Sequence, residues 1–333
     1  MSASNGPWAS EDVQAAEPTL SVVVPVYNEK PVLPQLYDRL REVLQPLAIT
    51  YEIVLVDDGS KDGSGEYMVE LARESDVVKA VRLSRNFGKE AALTAGLSQA
   101  SGAAVIVLDA DLQDPPELIP KMLDAWKEGV DVVTMKRRSR EGETHSKRFS
   151  AYLFYRLLNR LSDFTIPEDT GDFRLMSRRA LDALLQLPER NRYMKGLFAW
   201  VGFPTIILEY DRAPRAAGET KWNYFSLLGL AFEGITSFSI GPLRWMIGLG
   251  AFTALLGLLF GCWIILKTLF LGEVVRGYPS LIAVVTFLGG VQLLSIGILG
   301  EYVGKTYVES KQRPLYLIHD ITGPRGDSGD TDQ

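Results

Sequence analysis

The sequence predicts an α/β domain with a mostly parallel, Rossmann-like sheet, followed by amphipathic interfacial helices and a two-helix transmembrane hairpin. Three observations predict it. Short β-branched runs alternate with helical stretches between Leu20 and about Lys136. Three of those runs end in polar, loop-forming residues. Two long segments near the C-terminus carry no charge at all.

The strands read as Leu20–Pro25, Tyr51–Val56, Val78–Leu83, Ala103–Leu108 and Val130–Met135, and the helices as Leu33–Leu44, Ser64–Glu74, Lys89–Gln99 and Glu117–Lys127. Continuous apolar strands separated by helices of this length make βαβ units, whose sheet is covered on both faces. Such sheets bind ligands beyond the carboxyl ends of their strands. The strand ends here are PVYNE, DDGS and DADLQD, so polar groups collect where a ligand would sit.

Residues 136–160 contain eight Lys/Arg against two Glu and lead into an amphipathic pattern at Phe149, Tyr152, Leu153, Leu157, Leu158 and Leu161. This face reads equally as a solvated surface or as one that meets anionic headgroups. A second amphipathic segment, Tyr224–Ile240, precedes the charge-free runs Trp245–Leu266 and Gly277–Gly300. Charged residues are 23% of the chain, so about 11 would be expected in these runs. Each is long enough to cross about 30 Å of hydrocarbon as a helix. Lys221, Arg244, Lys305, Lys311 and Arg313 flank the outer ends, which places both termini in the cytoplasm. The expected units are a disordered segment 1–18, a catalytic domain 19–222, a juxtamembrane segment 223–243, the transmembrane pair 244–304 (helices at about 245–267 and 278–300) and a cytoplasmic tail 305–333.

A net charge of −6 argues against nucleic acid as the main partner, because phosphate binding needs a basic surface. The single cysteine, Cys262, excludes an internal disulfide and a Cys-rich zinc site. With histidine only at His145 and His319, a cation would be a hard one held by oxygen, Mg²⁺ or Mn²⁺.

The clearest chemical signal is Asp109-Ala110-Asp111-Leu112-Gln113-Asp114 directly after a strand. Alternation at a strand end puts Asp109 and Asp111 on one side, where both can meet one cation. Asp114 before Pro115-Pro116 is accounted for as a helix cap, but Asp109 and Asp111 are not. Asp57-Asp58 ends another strand, and alone reads as a turn. The glycines Gly59, Gly63 and Gly65 do not make G-x-G-x-x-G, and no phosphate-binding G-x-x-x-x-G-K-[ST] occurs.

Val24-Pro25-Val26-Tyr27-Asn28-Glu29, Val56-Asp57-Asp58-Gly59-Ser60, Arg85-Asn86-Phe87-Gly88-Lys89 and Asp109–Glu117 together resemble the inverting family 2 glycosyltransferases of GT-A fold. DADLQDPPE, Gly171-Asp172-Phe173-Arg174 and Arg215-Ala216-Ala217-Gly218-Glu219-Thr220-Lys221 are similar to the polyprenyl-phosphate branch, which includes dolichol-phosphate mannose synthases and bacterial bactoprenol glucosyltransferases. The resemblance spans about residues 20–305. It implies that Pro25, Tyr27, Glu29, Asp57, Asp58 and Lys89 hold the nucleotide sugar, with Asp109 beside the ribose or sugar. Asp111 and Gln113 would bind the divalent metal, and Arg137 the diphosphate. Arg174, Arg215 and Lys221 would grip the donor diphosphate and the acceptor phosphate. Asp172 would act as base or acceptor-orienting group, and residues 215–221 as a loop closing on the donor.

The implied reaction is metal-dependent inverting transfer of a sugar to undecaprenyl or another polyprenyl phosphate. UDP-glucose is the expected donor, with GDP-mannose and other UDP-sugars as alternatives. The resemblance also implies an integral protein of the cytoplasmic membrane that self-associates, a tetramer being one form. Two rivals are a processive polysaccharide synthase and a non-catalytic membrane partner. The first would need Q-x-x-R-W where this chain has Gly241-Pro242-Leu243-Arg244-Trp245, and the second would not need the carboxylate cluster.

Overall fold

The computed structural model describes residues 18–138, 156, 170–190, 192–211, 236, 239–271 and 277–323. The basic stretch after Arg138, most of the second amphipathic segment, and both Arg215 and Lys221 lie outside the described residues. Within them, an eight-stranded sheet runs in the order β7-β5-β6-β4-β1-β2-β3-β8. Its strands are β1 (Leu20–Val26), β2 (Tyr51–Asp57), β3 (Val78–Leu83), β4 (Ala104–Val107), β5 (Val132–Arg137), β6 (Thr170–Ser177), β7 (Thr205–Tyr210) and β8 (Ile318–Thr322).

β1 is central, parallel to β2 and β4, and every residue of LSVVVPV is buried. Pro25 is tolerated there for a definable reason. Asp58 N–H donates to the Val26 carbonyl on the β2 side and Leu108 N–H to the Val23 carbonyl on the β4 side, so odd positions face β4. Pairing with β4 ends at Val23, so no ladder bond requires the N–H that Pro25 lacks.

Helices α1 (Leu33–Leu44), α2 (Ser64–Glu74) and α4 (Ile119–Lys127) cover one face of the sheet; α3 (Lys89–Gln99), α5 (Arg178–Leu185) and α6 (Met194–Trp200) cover the other. α1 buries Leu33, Leu36, Leu40 and Leu44, an i, i+3, i+4 stripe. α3 lies so close to the sheet that a Cβ on Gly96 would run into Val23 and Val56. α5 is capped by Ser177, whose Oγ accepts the Ala180 N–H at 3.3 Å.

The structure departs from the sequence reading at several points, among them a β5 that runs Val132–Arg137 rather than Val130–Met135. The helix expected at Glu117–Lys127 opens with a 3₁₀ turn at Pro116–Leu118 and continues as an α-helix only from Ile119. β4 is shorter than expected, ending at Val107, so Asp109 and Asp111 lie in a turn rather than on an alternating strand. β6 enters antiparallel between β4 and β5, with Val107 and Thr134 both opposite Arg174. That reversal brings the start of β6, with Asp172 and Arg174, to the carboxyl ends of the parallel strands.

The two apolar helices are α7 (Gly241–Leu271) and α8 (Tyr278–Ser310), both longer than the charge-free runs. Each is long and apolar enough to cross a membrane, and none of their apolar span is buried. A soluble core helix would be covered; these are not. They meet at Ser295, whose Oγ lies 3.5 Å from Met246 Sδ. The segment following them, expected as a tail, returns to the sheet as β8 and pairs antiparallel with β3.

Candidate active site

Loops at the carboxyl ends of β1, β2 and β4 surround a cavity of about 290 Å³ lined by Pro25, Tyr27, Glu29, Asp58, Lys89, Asp109 and Asp111 among others. Asp57 lines an adjoining cavity that shares Tyr27 and Asn86 with the first. Tyr27 is 47% exposed, an open aromatic face at the boundary between the two.

The two aspartates that end β2 are held by backbone donors. Asp57 accepts the Ser60 N–H at 2.9 Å. Asp58, 3% exposed, accepts the N–H groups of Phe87 at 2.7 Å and Gly88 at 2.9 Å, and so fastens the β3–α3 loop against the end of β2. Burial raises its pKa; those two hydrogen bonds pull it back, and the neighbouring Asp57 adds to the rise. Gly59, at φ +68°, lets the two loops touch: a Cβ there would lie 2.6 Å from Arg85 and Asn86 backbone atoms.

The other side of the cavity is an ion network. Lys89 Nζ lies 2.6 Å from both Asp109 Oδ1 and Asp172 Oδ2, joining the β4 turn to β6. Burial would lower its pKa, but the two carboxylates more than reverse that, so Lys89 stays charged. Burial would likewise raise the pKa of Asp172, yet Lys89 holds it below the ordinary carboxylate value, with help from Lys195 and Arg174. An aspartate so stabilised as the anion is a weak base and a good orienting group.

Arg174 is 4% exposed; its guanidinium donates to the carbonyls of Gly171 at 2.8 Å and Asp172 at 3.3 Å and lies 3.6 Å over the Phe198 ring. Burial lowers its pKa to about 10, so it is still cationic at neutral pH. It braces the backbone that carries Asp172. Arg137 ends β5 near Gly171, and its Nε is buried without a hydrogen-bond partner among the described residues. Tyr210, buried against Phe173 in an edge-to-face contact, donates to Asp114 at 2.6 Å.

Two residues of this network escaped the sequence reading. Lys195 of α6 lies within electrostatic reach of Asp172, Arg137, Lys89 and Arg174, and burial lowers its pKa. Glu90 lies within electrostatic reach of Asp172; burial first, and then Asp172, push its pKa up to about 7, and its Oε2 has no hydrogen-bond partner among the described residues. The available signal was a lone lysine in MKGLFAW and a glutamate at the start of the almost wholly buried α3.

Asp111 and Gln113 flank Leu112, which adopts a left-handed φ of +58°, and the Gln113 N–H donates to Asp111 Oδ1 at 3.2 Å. Among the described residues, no three His, Cys, Asp or Glu side chains converge on one point. Asp111 and Gln113 offer side-chain oxygens, the donors that hard cations such as Mg²⁺ and Mn²⁺ take.

Comparison with known proteins agrees with this architecture. Residues 21–185 match the family model "Glycosyl transferase family 2", and residues 241–306 match "GtrB C-terminal hairpin". The chain is 53% identical to an uncharacterized glycosyltransferase of Synechocystis, covering 91% of this chain and 96% of that one. It is 49% identical to the bactoprenol glucosyl transferase of Shigella phage SfV (90% and 97% covered) and 47% identical to a prophage bactoprenol glucosyl transferase homolog of Escherichia coli (90% and 98%). The sheet, the carboxylate-lined cavity and the apolar helix pair thus belong to a family 2 glycosyltransferase with a GtrB-type C-terminal hairpin.

Proposed function

We propose that this glycosyltransferase moves glucose from UDP-glucose to a polyprenyl phosphate of the undecaprenyl type, by one inverting displacement that releases UDP. The observation that carries the reading is the gathering of Lys89, Arg174 and Lys195 around Asp172, with Arg137 within electrostatic reach of Lys195, next to a cavity walled by Asp58, Asp109 and Asp111, in a chain whose two long helices leave their apolar surface uncovered.

The acceptor explains the balance of charge. A phosphate monoester has a second pKa of about 6, so it is already a nucleophile at neutral pH and needs no strong base. The barrier the site must lower is repulsion between that anion and the donor diphosphate. Cationic side chains do this, and Arg137 Nε, without a hydrogen-bond partner among the described residues, offers a donor to a phosphate oxygen. Asp172 orients rather than deprotonates, because Lys89 stabilises its anion. Tyr27, Asp57 and Asp58 hold the nucleoside; Pro25 and Glu29 shape the floor. Arg215 and Lys221 are proposed to close on the donor. A divalent cation on Asp111 and Gln113 would supply charge stabilisation to the departing diphosphate.

The hairpin anchors the enzyme in the cytoplasmic membrane with its catalytic domain on the cytoplasmic side, so the lipid phosphate is met at headgroup level without leaving the bilayer. Self-association into a homo-oligomer belongs to the same proposal, carried over from the family. The test is a donor screen with purified protein, undecaprenyl phosphate and Mg²⁺ or Mn²⁺, reading lipid product by mass. A hexose-bearing lipid from UDP-glucose supports the reading; the same product from GDP-mannose alone overturns the donor, and no lipid product from any donor overturns the reaction.

A further inference from the structure

The larger cavity, about 570 Å³, lies next to the carboxylate-lined one and shares Tyr27 and Asn86 with it, so the two form one groove. It runs from the end of β2 across β3 to the edge of the sheet. Its walls carry Lys61, Arg82 and Arg85, and on the far side His319. His319 belongs to β8, which the chain reaches only after both apolar helices.

β8 is firmly tied at this edge. It pairs antiparallel with β3, and the Ser84 N–H donates to the Leu317 carbonyl at 2.9 Å. Asp320 accepts two hydrogen bonds from the Arg82 guanidinium, one of them at 2.8 Å from Nε. Each partner shifts the other, lowering the Asp320 pKa and raising that of Arg82. Upstream, Tyr316 shares a hydrogen bond with Ser98 at 2.8 Å, and Arg190 binds Glu309 at 2.8 Å and the Arg313 carbonyl at 2.6 Å. A five-residue strand would not hold a sheet edge alone, but these contacts tie it there, and its register shifts between Arg82 and Leu83 so that His319 has no paired position in β3. His319, by contrast, has its side chain 62% exposed and, among the described residues, only its neighbour Asp320 as a partner, at 3.2 Å.

We propose that β8 is part of the donor site: it closes the nucleoside end of the groove, with His319 contacting the nucleoside and Asp320 positioning Arg82 in the wall. This rests on the nucleotide-sugar reading above. A nucleoside diphosphate sugar is elongated. With its sugar and diphosphate beside Asp109 and Asp111, the nucleoside extends past Tyr27 into the second cavity, and β8 is the wall it meets. The donor site is then built from chain on both sides of the hairpin, and nucleoside recognition depends on a strand that the end of α8 delivers.

The experiment measures binding of UMP, UDP and UDP-glucose to the full-length protein, as wild type, His319→Ala and Asp320→Ala, together with the donor KM and kcat. His319→Ala should weaken all three ligands alike by about fivefold, the worth of one hydrogen bond, and raise the donor KM with kcat unchanged. Asp320→Ala, which also releases Arg82, should weaken them by about tenfold or more. The exposed His319 makes no packing contribution, so its variant folds whatever becomes of Asp320→Ala. Binding of UMP and UDP by His319→Ala within twofold of wild type overturns the proposal, as does a loss confined to UDP-glucose. A wild-type protein that binds none of the three overturns the nucleotide-sugar reading as well, which separates the two failures.

Discussion

The two sides of the candidate site hold their carboxylates in different ways. At the end of β2, Asp57 and Asp58 are satisfied by backbone N–H groups, which are fixed once the loops are folded. On the opposite side, Lys89 hydrogen-bonds Asp172 and pairs with Asp109 by charge, with Lys195 and Arg174 close to Asp172, while Asp109 Oδ1 has no hydrogen-bond partner among the described residues. Backbone donors cannot leave, whereas a flexible ammonium can be shared with an arriving phosphate. On the proposed function, the side that meets the nucleoside is preformed, while the side that meets the reacting groups can exchange partners as the acceptor phosphate enters.

Breaking the exchangeable side should have the largest effect. Lys89→Met leaves Asp109 and Asp172 without the charge between them, and transfer should fall by about 10²–10³-fold. Nucleotide affinity should change far less, which single-turnover kinetics beside UDP binding will show. A comparable loss of UDP binding would erase the distinction between the sides.

Glu90 sharpens the comparison through pH. Its pKa of about 7 in the fold lies above the ordinary 4.5, so between those values the native state binds more protons than the unfolded chain. Its contribution to stability therefore falls as pH rises through that window, by up to about 3 kcal/mol. Glu90→Gln should remove that decline, seen as a flatter Tm between pH 4.5 and 7 than in wild type. Parallel Tm profiles would contradict the assignment.

The preformed side should show itself mainly as structure. Asp58→Ala strands two buried N–H groups and should cost about 2 kcal/mol in denaturant unfolding. It should also raise the donor KM, with a smaller change in kcat. Unchanged stability would mean that the Phe87–Gly88 loop is held by something other than Asp58.

Legibility in the sequence followed burial. The helices Leu33–Leu44, Ser64–Glu74 and Lys89–Gln99 were readable to the residue, because each lies between apolar strands covered on both faces. β6 was visible only as a motif: Gly171, Asp172 and Arg174 interrupt its apolar pattern for the sake of the site. β7 alternates exposed and half-buried positions at the sheet edge, and β8 has five residues whose partner strand lies more than two hundred positions earlier. Nothing local announces such a pairing. The carboxylates were legible because they cluster at strand ends. Lys195 and Glu90 were not, since only the packing of α3 and α6 beside β6 brings them to Asp172.

The central claim is that the turn after β4 holds a cation that lets a diphosphate depart next to a lipid phosphate. It is tested most directly by measuring transfer from UDP-glucose to undecaprenyl phosphate while free Mg²⁺ or Mn²⁺ is titrated, in wild type and Asp111→Asn. Wild-type transfer should rise with the cation and stop on chelation, and Asp111→Asn should need far more metal or stay inactive. Equal rates in chelator, or an Asp111→Asn titration that overlays wild type, would contradict it.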